Sequence, residues 1–122
     1  MSNPSSDQSF RTALQYLETS GQLHRIERPV DARFEIGAVL ALRDRGPAQL
    51  FSNVIGHTLP VVGNIMNSRE RVAGLLGVEK ADLQKMILKA LASPISPVMV
   101  ENAPLHEVVH KDPIDLARLL PV

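Results

Sequence analysis

The stretch GPAQLFSNVIGHTLPVVGNIMNSRERVAGLLG, residues 46–77, determines the centre of the fold. Its two short apolar runs predict strands over residues 49–53 and 59–66, because both runs are bounded by turn-forming residues. The segment between them predicts a hairpin-like turn, with Gly56 at the position that needs a positive φ. The centre of the molecule is therefore expected to be a pair of neighbouring strands.

The end of the same stretch predicts a helix over residues 68–76. Asn67 followed three residues later by Glu70 resembles a capping box, in which side chains satisfy free backbone N–H groups of the first turn. Gly77 supplies the left-handed residue that commonly ends a helix.

The sequence before this stretch predicts a helix and a strand. Residues 9–20 carry apolar side chains at helical spacing, with Asp7 or Ser9 as the cap and Gly21 as the stop. A short alternating strand is predicted over residues 23–26. The apolar stripe of the helix consists of Phe10, Ala13, Leu14 and Leu17.

Two more helices flank the central stretch. The first is predicted over residues 32–45, with Asp31 as a candidate cap and Gly46 as the stop. Its buried face would consist of Ala32, Ile36, Val39 and Leu40. The second is predicted over residues 80–92, and Pro94 forbids its continuation. Its apolar face would consist of Leu83, Met86, Ile87, Ala90 and Leu91.

Prolines divide the remaining sequence into short extended pieces, which predict strands over residues 98–100 and 105–109. The alternation of helices and strands predicts an α/β (mixed α+β) fold, in which about four helices cover a small mixed β-sheet. The length predicts a single domain over residues 9–122, after a disordered lead-in over residues 1–8.

Composition excludes several classes of function. Thirteen Lys and Arg residues balance thirteen Asp and Glu residues, so no strong field favours nucleic acid or an anionic membrane. One Tyr, three Phe and no Trp leave few rings for stacking on bases. No apolar run is long enough to span a membrane. The absence of Cys excludes a disulfide scaffold and a thiolate nucleophile and, with no secretory signal visible, fits a cytoplasmic protein.

The run HEVVH satisfies the HExxH pattern of zinc proteases, in which His106 and His110 would bind zinc and Glu107 would act as general base. That interpretation needs a helix, but Pro104 and Pro113 bracket the motif closely and its central Val pair favours extended backbone. On a strand the two His would lie about 13 Å apart, too far to share one zinc ion. The sequence therefore favours a strand without zinc.

The start of the helix after the central strands carries another candidate site. Arg69 and Arg71 could contact a phosphate or carboxylate at a helix N-terminus, where backbone donors also favour anions. However, Arg in a first turn opposes the helix dipole, and Glu70 is already explained by capping. The alternative is a structural or interfacial role for this cluster. Gly63 and Asn64 likewise fit either a close backbone approach to a ligand or a tight strand end.

The remaining histidines, His24 on a strand and His57 in a turn, are interpreted as surface or turn residues rather than catalysts. Neither a Gly-rich phosphate loop nor an oriented nucleophile is present. The sequence therefore assigns no catalytic, cofactor-binding or metal-binding residue.

The chain resembles the first domain of the UbiD-like decarboxylases, the carboxy-lyases that depend on prenylated FMN. The resemblance runs from about residue 9 to residue 122 and is most specific in residues 46–77. It rests there on Gly46-Pro47-Ala48, Leu50-Phe51, Asn53-Val54, Gly56, Pro60-Val61-Val62-Gly63-Asn64, Ser68-Arg69-Glu70-Arg71 and Leu76-Gly77. The C-terminal part adds Pro104, Glu107-Val108-Val109, Asp115-Leu116 and Pro121.

This resemblance implies reversible, non-oxidative decarboxylation of an aromatic or α,β-unsaturated carboxylic acid. Prenylated FMN would be the electron sink, with a divalent metal (Mn) at its phosphate. It also implies a downstream flavin-binding domain, a flavin prenyltransferase that supplies the cofactor, and a homo-oligomer of the full-length enzyme. In the family the catalytic and metal-binding groups lie in later domains, so the resemblance transfers none of them to this chain.

Two hypotheses remain open. In the first, the chain is the N-terminal domain of a UbiD-like carboxy-lyase, structural and inactive alone, which predicts an exposed apolar patch over residues 116–122. In the second, it is a stand-alone accessory or binding module of the same fold without catalysis, which predicts a partner that copurifies.

Overall fold

The computed structural model describes residues 9–111 and 113–121, so the lead-in predicted over residues 1–8 lies outside the described residues. The described helices and strands are, in chain order, α1 (Phe10–Thr19), β1 (Leu23–Ile26), α2 (Glu35–Leu42), β2 (Ala48–Phe51), β3 (Val61–Gly63), α3 (Arg69–Leu75), α4 (Leu83–Ala92) and α5 (Leu116–Leu119). Two 3₁₀ turns occur at Lys80–Asp82 and Pro104–His106. The predicted mixed α+β fold is confirmed.

The strands form one sheet in the order β1-β2-β3. β1 and β2 are parallel, with Leu23 opposite Ala48. This pairing requires a crossover connection, and α2 lies in that connection. β2 and β3 are antiparallel and are joined by the predicted turn, in which Gly56 has a φ of 80°. The prediction of a small mixed sheet is therefore confirmed, although both central strands are shorter than expected.

The core lies around β2, whose four residues are all buried. Phe51 is fully buried and belongs to a cluster with Val30, Ile36 and Val54. Partly buried side chains complete this cluster, namely Ile26, Ala32, Val39, Leu40 and Val61. The predicted buried face of α2 therefore packs against the central strand.

The first helix forms as predicted. The Ser9 hydroxyl accepts a hydrogen bond from the Thr12 backbone N–H (3.3 Å), and Gly21 has a φ of 69° just after the helix. Of the two candidate caps, Asp7 lies outside the described residues. α1 approaches α3 closely, because a Cβ added at Gly74 would lie 2.1 Å from the Tyr16 hydroxyl oxygen.

The second helix is shorter at both ends than the predicted range of residues 32–45. The Asp31 carboxylate accepts a hydrogen bond from the Arg33 backbone N–H (2.7 Å), which places residues after Asp31 in a turn. The Asp31 backbone N–H donates in turn to the Glu35 carboxylate (3.0 Å). Phe34 is therefore the N-cap, and the prediction that Asp31 caps the helix was wrong.

The cap of the third helix is Ser68, one residue later than predicted. The Ser68 hydroxyl accepts a hydrogen bond from the Arg71 backbone N–H (3.2 Å). The Asn67 side chain makes other hydrogen bonds: its Nδ2 donates to the Asp44 carbonyl oxygen, and its Oδ1 accepts from the Arg71 guanidinium. Gly77, with a φ of 68°, ends this helix region as predicted.

The strands predicted over residues 98–100 and 105–109 are absent from the described residues. Residues 105 and 106 belong to a 3₁₀ turn instead, and residues 98–100 form no regular element. The valines there favour extended backbone, but a strand also needs a neighbour to pair with, and the prolines remove donors. A short helix, α5, follows, with the Asp115 carboxylate accepting a hydrogen bond from the Arg118 N–H at 3.2 Å.

Candidate functional site

A buried arginine joins three connections at one end of the sheet. Arg71 of α3 is only 5% exposed. Its Nε donates a hydrogen bond to Gln22 Oε1 (3.1 Å). Its Nη1 donates to the Asn64 carbonyl oxygen (2.6 Å) and to Asn67 Oδ1, and its Nη2 donates to the Gly46 carbonyl oxygen (2.9 Å). We call these five residues the Arg71 node.

The strand directions explain why these acceptors meet. Gln22 precedes β1, Gly46 precedes the parallel strand β2, and Asn64 follows the antiparallel strand β3. All three therefore lie at the same end of the sheet. Because four of its N–H groups already bind protein oxygens, Arg71 has a structural role here and is not positioned to hold a phosphate or carboxylate.

The other two charged residues at the start of α3, Arg69 and Glu70, do not take part in the Arg71 node. Arg69 is exposed, so the two arginines do not converge on one ligand. Glu70 forms an ion pair with Lys80, which links α3 to the following 3₁₀ turn. The hydrogen bond from Lys80, together with those from the Glu70 backbone N–H and the Ser68 hydroxyl, lowers the pKa of Glu70 to about 2. Glu70 is therefore ionised at neutral pH and holds α3 to the following turn through Lys80.

The HExxH run does not lie on an α-helix. His106 ends a 3₁₀ turn, Glu107 is the residue that caps it, and His110 lies outside any regular element. The strand predicted over these residues was wrong. The helix that a zinc protease needs is not formed over them either. Within residues 9–111 and 113–121, no group of three or more His, Asp or Glu side chains could hold a metal ion.

The remaining candidates have structural surroundings. His24 is exposed on β1, and its Nδ1 lies 3.0 Å from Oε1 of the buried Gln49. A Cβ added at Gly63 would lie 2.5 Å from a methyl carbon of Leu40, so Gly63 lets α2 approach β3. Asn64 has a φ of 59° and donates from Nδ2 to the Leu40 carbonyl oxygen (2.8 Å). These contacts support the tight strand end rather than a ligand contact.

The most extensive candidate surface is apolar and lies in the last third of the chain. The apolar face of α4, defined here by Ile87, Leu88 and Leu91, is exposed beyond the buried Leu83 at the helix start. A cleft beside it is lined by residues of α4 and of the preceding turn and by Arg69 of α3.

The segment after α4, residues 94–121, continues this apolar surface; we call it the arm. Ile95 is 96% exposed and Met99 is 92% exposed. Other exposed apolar side chains of the arm are Val98, Val100, Leu105, Val108, Val109, Ile114, Leu116, Leu119 and Leu120. Patches of this kind mark interaction surfaces in soluble domains. The predicted patch at residues 116–122 is thus part of a longer surface, with residue 122 outside the described residues.

No helix in the described part of the chain is long and apolar enough to cross a membrane.

The sequence of the domain matches a known family. Residues 14–91 match the 3-octaprenyl-4-hydroxybenzoate carboxy-lyase N-terminal domain. The chain belongs to this family. The resemblance to the UbiD-like decarboxylases is thereby confirmed, and the family match contains the Arg71 node and the whole sheet.

Solved structures of UbiD-class enzymes share the fold. An evolved dimeric form of HmfF from Pelotomaculum thermopropionicum, in complex with prFMN, is 32% identical with a TM-score of 0.86, over 94% of this chain and 27% of that chain. The 3,4-dihydroxybenzoic acid decarboxylase from Enterobacter cloacae is 31% identical with a TM-score of 0.79, over 98% and 27%. Vanillic acid decarboxylase from Sedimentibacter hydroxybenzoicus, in open form, is 28% identical with a TM-score of 0.79, over 94% and 27%.

Two facts about these matches concern the arm. The chain spans only about a quarter of the length of these enzymes. Because 98% of this chain is matched in the Enterobacter enzyme, the matched part includes nearly all of the arm. The arm is therefore part of the fold that this UbiD-family domain shares with much longer proteins.

Sequence reasoning missed the Arg71 node and the extent of the apolar surface. The node has a faint sequence signal, namely two Asn residues close before a helix that carries an Arg in its first turn. The apolar face of α4 was found by its helical spacing, but the spacing did not report that most of it is exposed. Its exposure depends on what lies beyond the helix, which periodicity does not report.

Proposed function

We propose that this chain is the N-terminal domain of a UbiD-class carboxy-lyase and that it has a structural role and no activity alone. The parent enzyme would catalyse reversible, non-oxidative decarboxylation of an aromatic or α,β-unsaturated carboxylic acid, using prenylated FMN and a divalent metal. It would be a homo-oligomer, with its cofactor supplied by a flavin prenyltransferase. The family match and the short coverage of the longer enzymes support this proposal.

The observation that carries the proposal is the uncovered arm. Its apolar side chains lie in water although each would gain about 1.5–3 kcal/mol from full burial. Its described backbone hydrogen bonds are all local, joining Ala103 to His106, Pro104 to Glu107, and residues 115–116 to residues 119–120. A segment that holds a shared conformation without packing on its own domain is typical of a surface that another domain covers.

The described residues present neither free donors for the cofactor phosphate at a buried site nor a cluster of ligands for its metal. A flavin phosphate needs free N–H donors, but the guanidinium of the only buried arginine among the described residues already binds four protein oxygens. The described residues also lack a metal-binding cluster. We therefore assign no catalytic or cofactor-binding residue to this chain and derive no chemical step from it.

The domain would act as a rigid support for the flavin-binding domain. The Arg71 node would fix the connections at one end of the sheet. The face of α4 and the arm would contact the next domain. Binding groups held on packed elements are positioned more precisely than groups on free loops. Covering the exposed face of α4 and the arm would complete the apolar core that this chain leaves open.

A domain replacement tests this function. The N-terminal domain of the Enterobacter 3,4-dihydroxybenzoic acid decarboxylase is replaced by this chain, and decarboxylation of 3,4-dihydroxybenzoic acid is measured. We expect the chimera to be active, and the enzyme lacking the domain and this chain alone to be inactive. A chimera with Leu91→Glu should lose activity or solubility, whereas Gln15→Glu, a change at an exposed position on α1, should not.

Two results would contradict the proposal. One is full activity of the enzyme that lacks the domain, because the domain would then support nothing. The other is a native protein in the source cells, detected with an antibody to this chain, that has the mass of the 122 residues alone. Such a protein would have to work with a separate partner.

A further inference from the structure

The first stretch of the arm, residues 94–100, has a straight backbone that bonds to nothing in its own domain. No helix, turn or bend occurs over these residues. Among the described residues, no backbone N–H or C=O of this stretch takes part in a hydrogen bond. Water can serve these groups in the free domain, because the stretch is exposed. Its exposed apolar side chains are Ile95, Val98, Met99 and Val100.

The side chains of this stretch are apolar on both faces. In an extended chain successive side chains point to opposite faces, so Val98 and Val100 share one face and Met99 lies on the other. Continuous apolar runs of this kind are typical of strands that are covered on both faces. Covering both faces also takes water away from the backbone. Buried backbone N–H and C=O groups are nearly always hydrogen-bonded, and an extended stretch meets that need by pairing with a strand.

The prolines determine which edge of this stretch can pair. In an extended chain the N–H and C=O groups of alternate residues point to the same edge. Ser96, Val98 and Val100 therefore share one edge, on which every residue has an N–H donor. Met99 shares the other edge with Pro97, which has no donor and is tolerated only at the outer edge of a sheet. Pro97 also restricts Ser96 to extended backbone, so the stretch is held ready for pairing.

We propose that residues 96–100 form a strand that pairs with a sheet edge of the domain that follows in the parent enzyme. The N–H and C=O groups of Ser96, Val98 and Val100 make the main-chain hydrogen bonds, and the edge with Pro97 and Met99 stays unpaired. An extended segment that adds to a sheet in this way gains its affinity from those bonds.

The following domain is the occupant for a reason that the comparisons supply. Longer enzymes share nearly all of the arm, yet this chain spans only 27% of their length, so most of each enzyme lies outside this domain. The sheet of this domain does not take up residues 96–100, because it consists of β1, β2 and β3 alone in the described part of the chain. The inference rests on the proposed function, which gives the arm to the next domain, and it adds the kind of contact that the arm makes there.

Amide hydrogen exchange tests the pairing in the chimera described above. The exchange is resolved to single residues by fragmentation of the labelled peptides, and an unstructured peptide of residues 92–104 gives the reference rates. We expect the amides of Ser96, Val98 and Val100 to exchange at least about 100-fold more slowly than in the peptide, since hydrogen-bonded amides exchange only through opening. The Met99 amide, on the unpaired edge, should slow by less than about tenfold.

Two proline substitutions form a matched pair in the same chimera. Val100→Pro removes a donor from the paired edge, whereas Met99→Pro removes one from the unpaired edge. We expect the Val98 amide to exchange about tenfold faster in the first variant, because one hydrogen bond of the strand is lost. In the second variant it should stay within about twofold of the unsubstituted chimera. Val100→Ala and Met99→Ala control for the lost side chains.

Three results would overturn the proposal: equal exchange at Val98 and Met99, slower exchange at Met99 than at Val98, or the same alternation in this chain alone. The third would mean that the pairing does not need the next domain. Decarboxylation by the chimera tests the proposed function separately. An active chimera with an unprotected arm rejects the strand alone, an inactive chimera with alternating protection rejects the supporting function alone, and an inactive chimera with an unprotected arm rejects both.

Discussion

Replacement of Arg71 by methionine removes the guanidinium from the node while keeping an unbranched apolar stem. Four hydrogen bonds are lost, all from a charged donor to uncharged oxygens. Such bonds contribute about 1.5–3 kcal/mol each. An opposing effect is that the variant no longer buries a cation, so the folded state is spared a desolvation cost of several kcal/mol. Since the acceptors lie on half-buried or exposed residues that water can reach, we expect a net loss of about 4 kcal/mol in the free energy of unfolding.

The free energy of unfolding of the Arg71→Lys variant should lie between those of the wild type and the Arg71→Met variant. One ammonium group cannot reach acceptors that the planar guanidinium contacts from three nitrogens, so about two hydrogen bonds are lost and the cost is about 2–3 kcal/mol. Both values are measured by urea unfolding followed by circular dichroism. Arg69 supplies the matched control, because it is exposed on the same helix and its replacement by methionine should change stability by less than about 0.5 kcal/mol.

The reasoning would be refuted if the Arg71→Met domain were as stable as the Arg69→Met domain, or more stable than the wild type. Either result would mean that desolvation of the buried cation cancels its four hydrogen bonds.

Two further predictions concern other contacts. Lys80, with the Glu70 backbone N–H and the Ser68 hydroxyl, lowers the pKa of Glu70 from 4.5 to about 2. These contacts therefore stabilise the folded state above pH 4.5 and lose their effect as the pH falls towards 2. Glu70→Gln should remove that part of the acid dependence of the urea midpoint, and an unchanged acid dependence would contradict it. Gly63→Ala should cost about 1–3 kcal/mol, since its Cβ would lie 2.5 Å from Leu40. Gly37→Ala, in open space on α2, should stabilise by about 0.5–1 kcal/mol, and equal effects of the two changes would contradict the packing argument.

Elements defined by local interactions were predictable from the sequence. α1 has its cap, its apolar stripe and its terminal glycine within a dozen neighbouring residues, and all were found in place. The same holds for β1 and for the turn with Gly56. For α1 and the turn the deciding contacts join residues close in the chain, whereas β1 was found from its alternation although it pairs with the distant β2.

Several errors arose where a group distant in the chain decided the outcome. Asn67 was taken as a cap from its spacing to Glu70, but the Arg71 guanidinium and the Asp44 carbonyl oxygen occupy its side chain. The valines of the arm predicted strands, yet pairing needs a second strand, and β3 is the last strand of the described residues. The absence of a catalytic residue remains a prediction for this chain.

The sheet topology sets an order for assembly. β2 and β3 need only the turn over residues 52–60 to close before they pair, whereas β1 pairs with β2 only after residues 27–47 have been arranged as a crossover. Longer loops cost more entropy to close, and parallel pairing is the slower step for that reason. The antiparallel pair is thus expected to form early in folding and β1 to dock late. In the native state, the amides of β1 should then exchange with solvent through a smaller opening than those of β2.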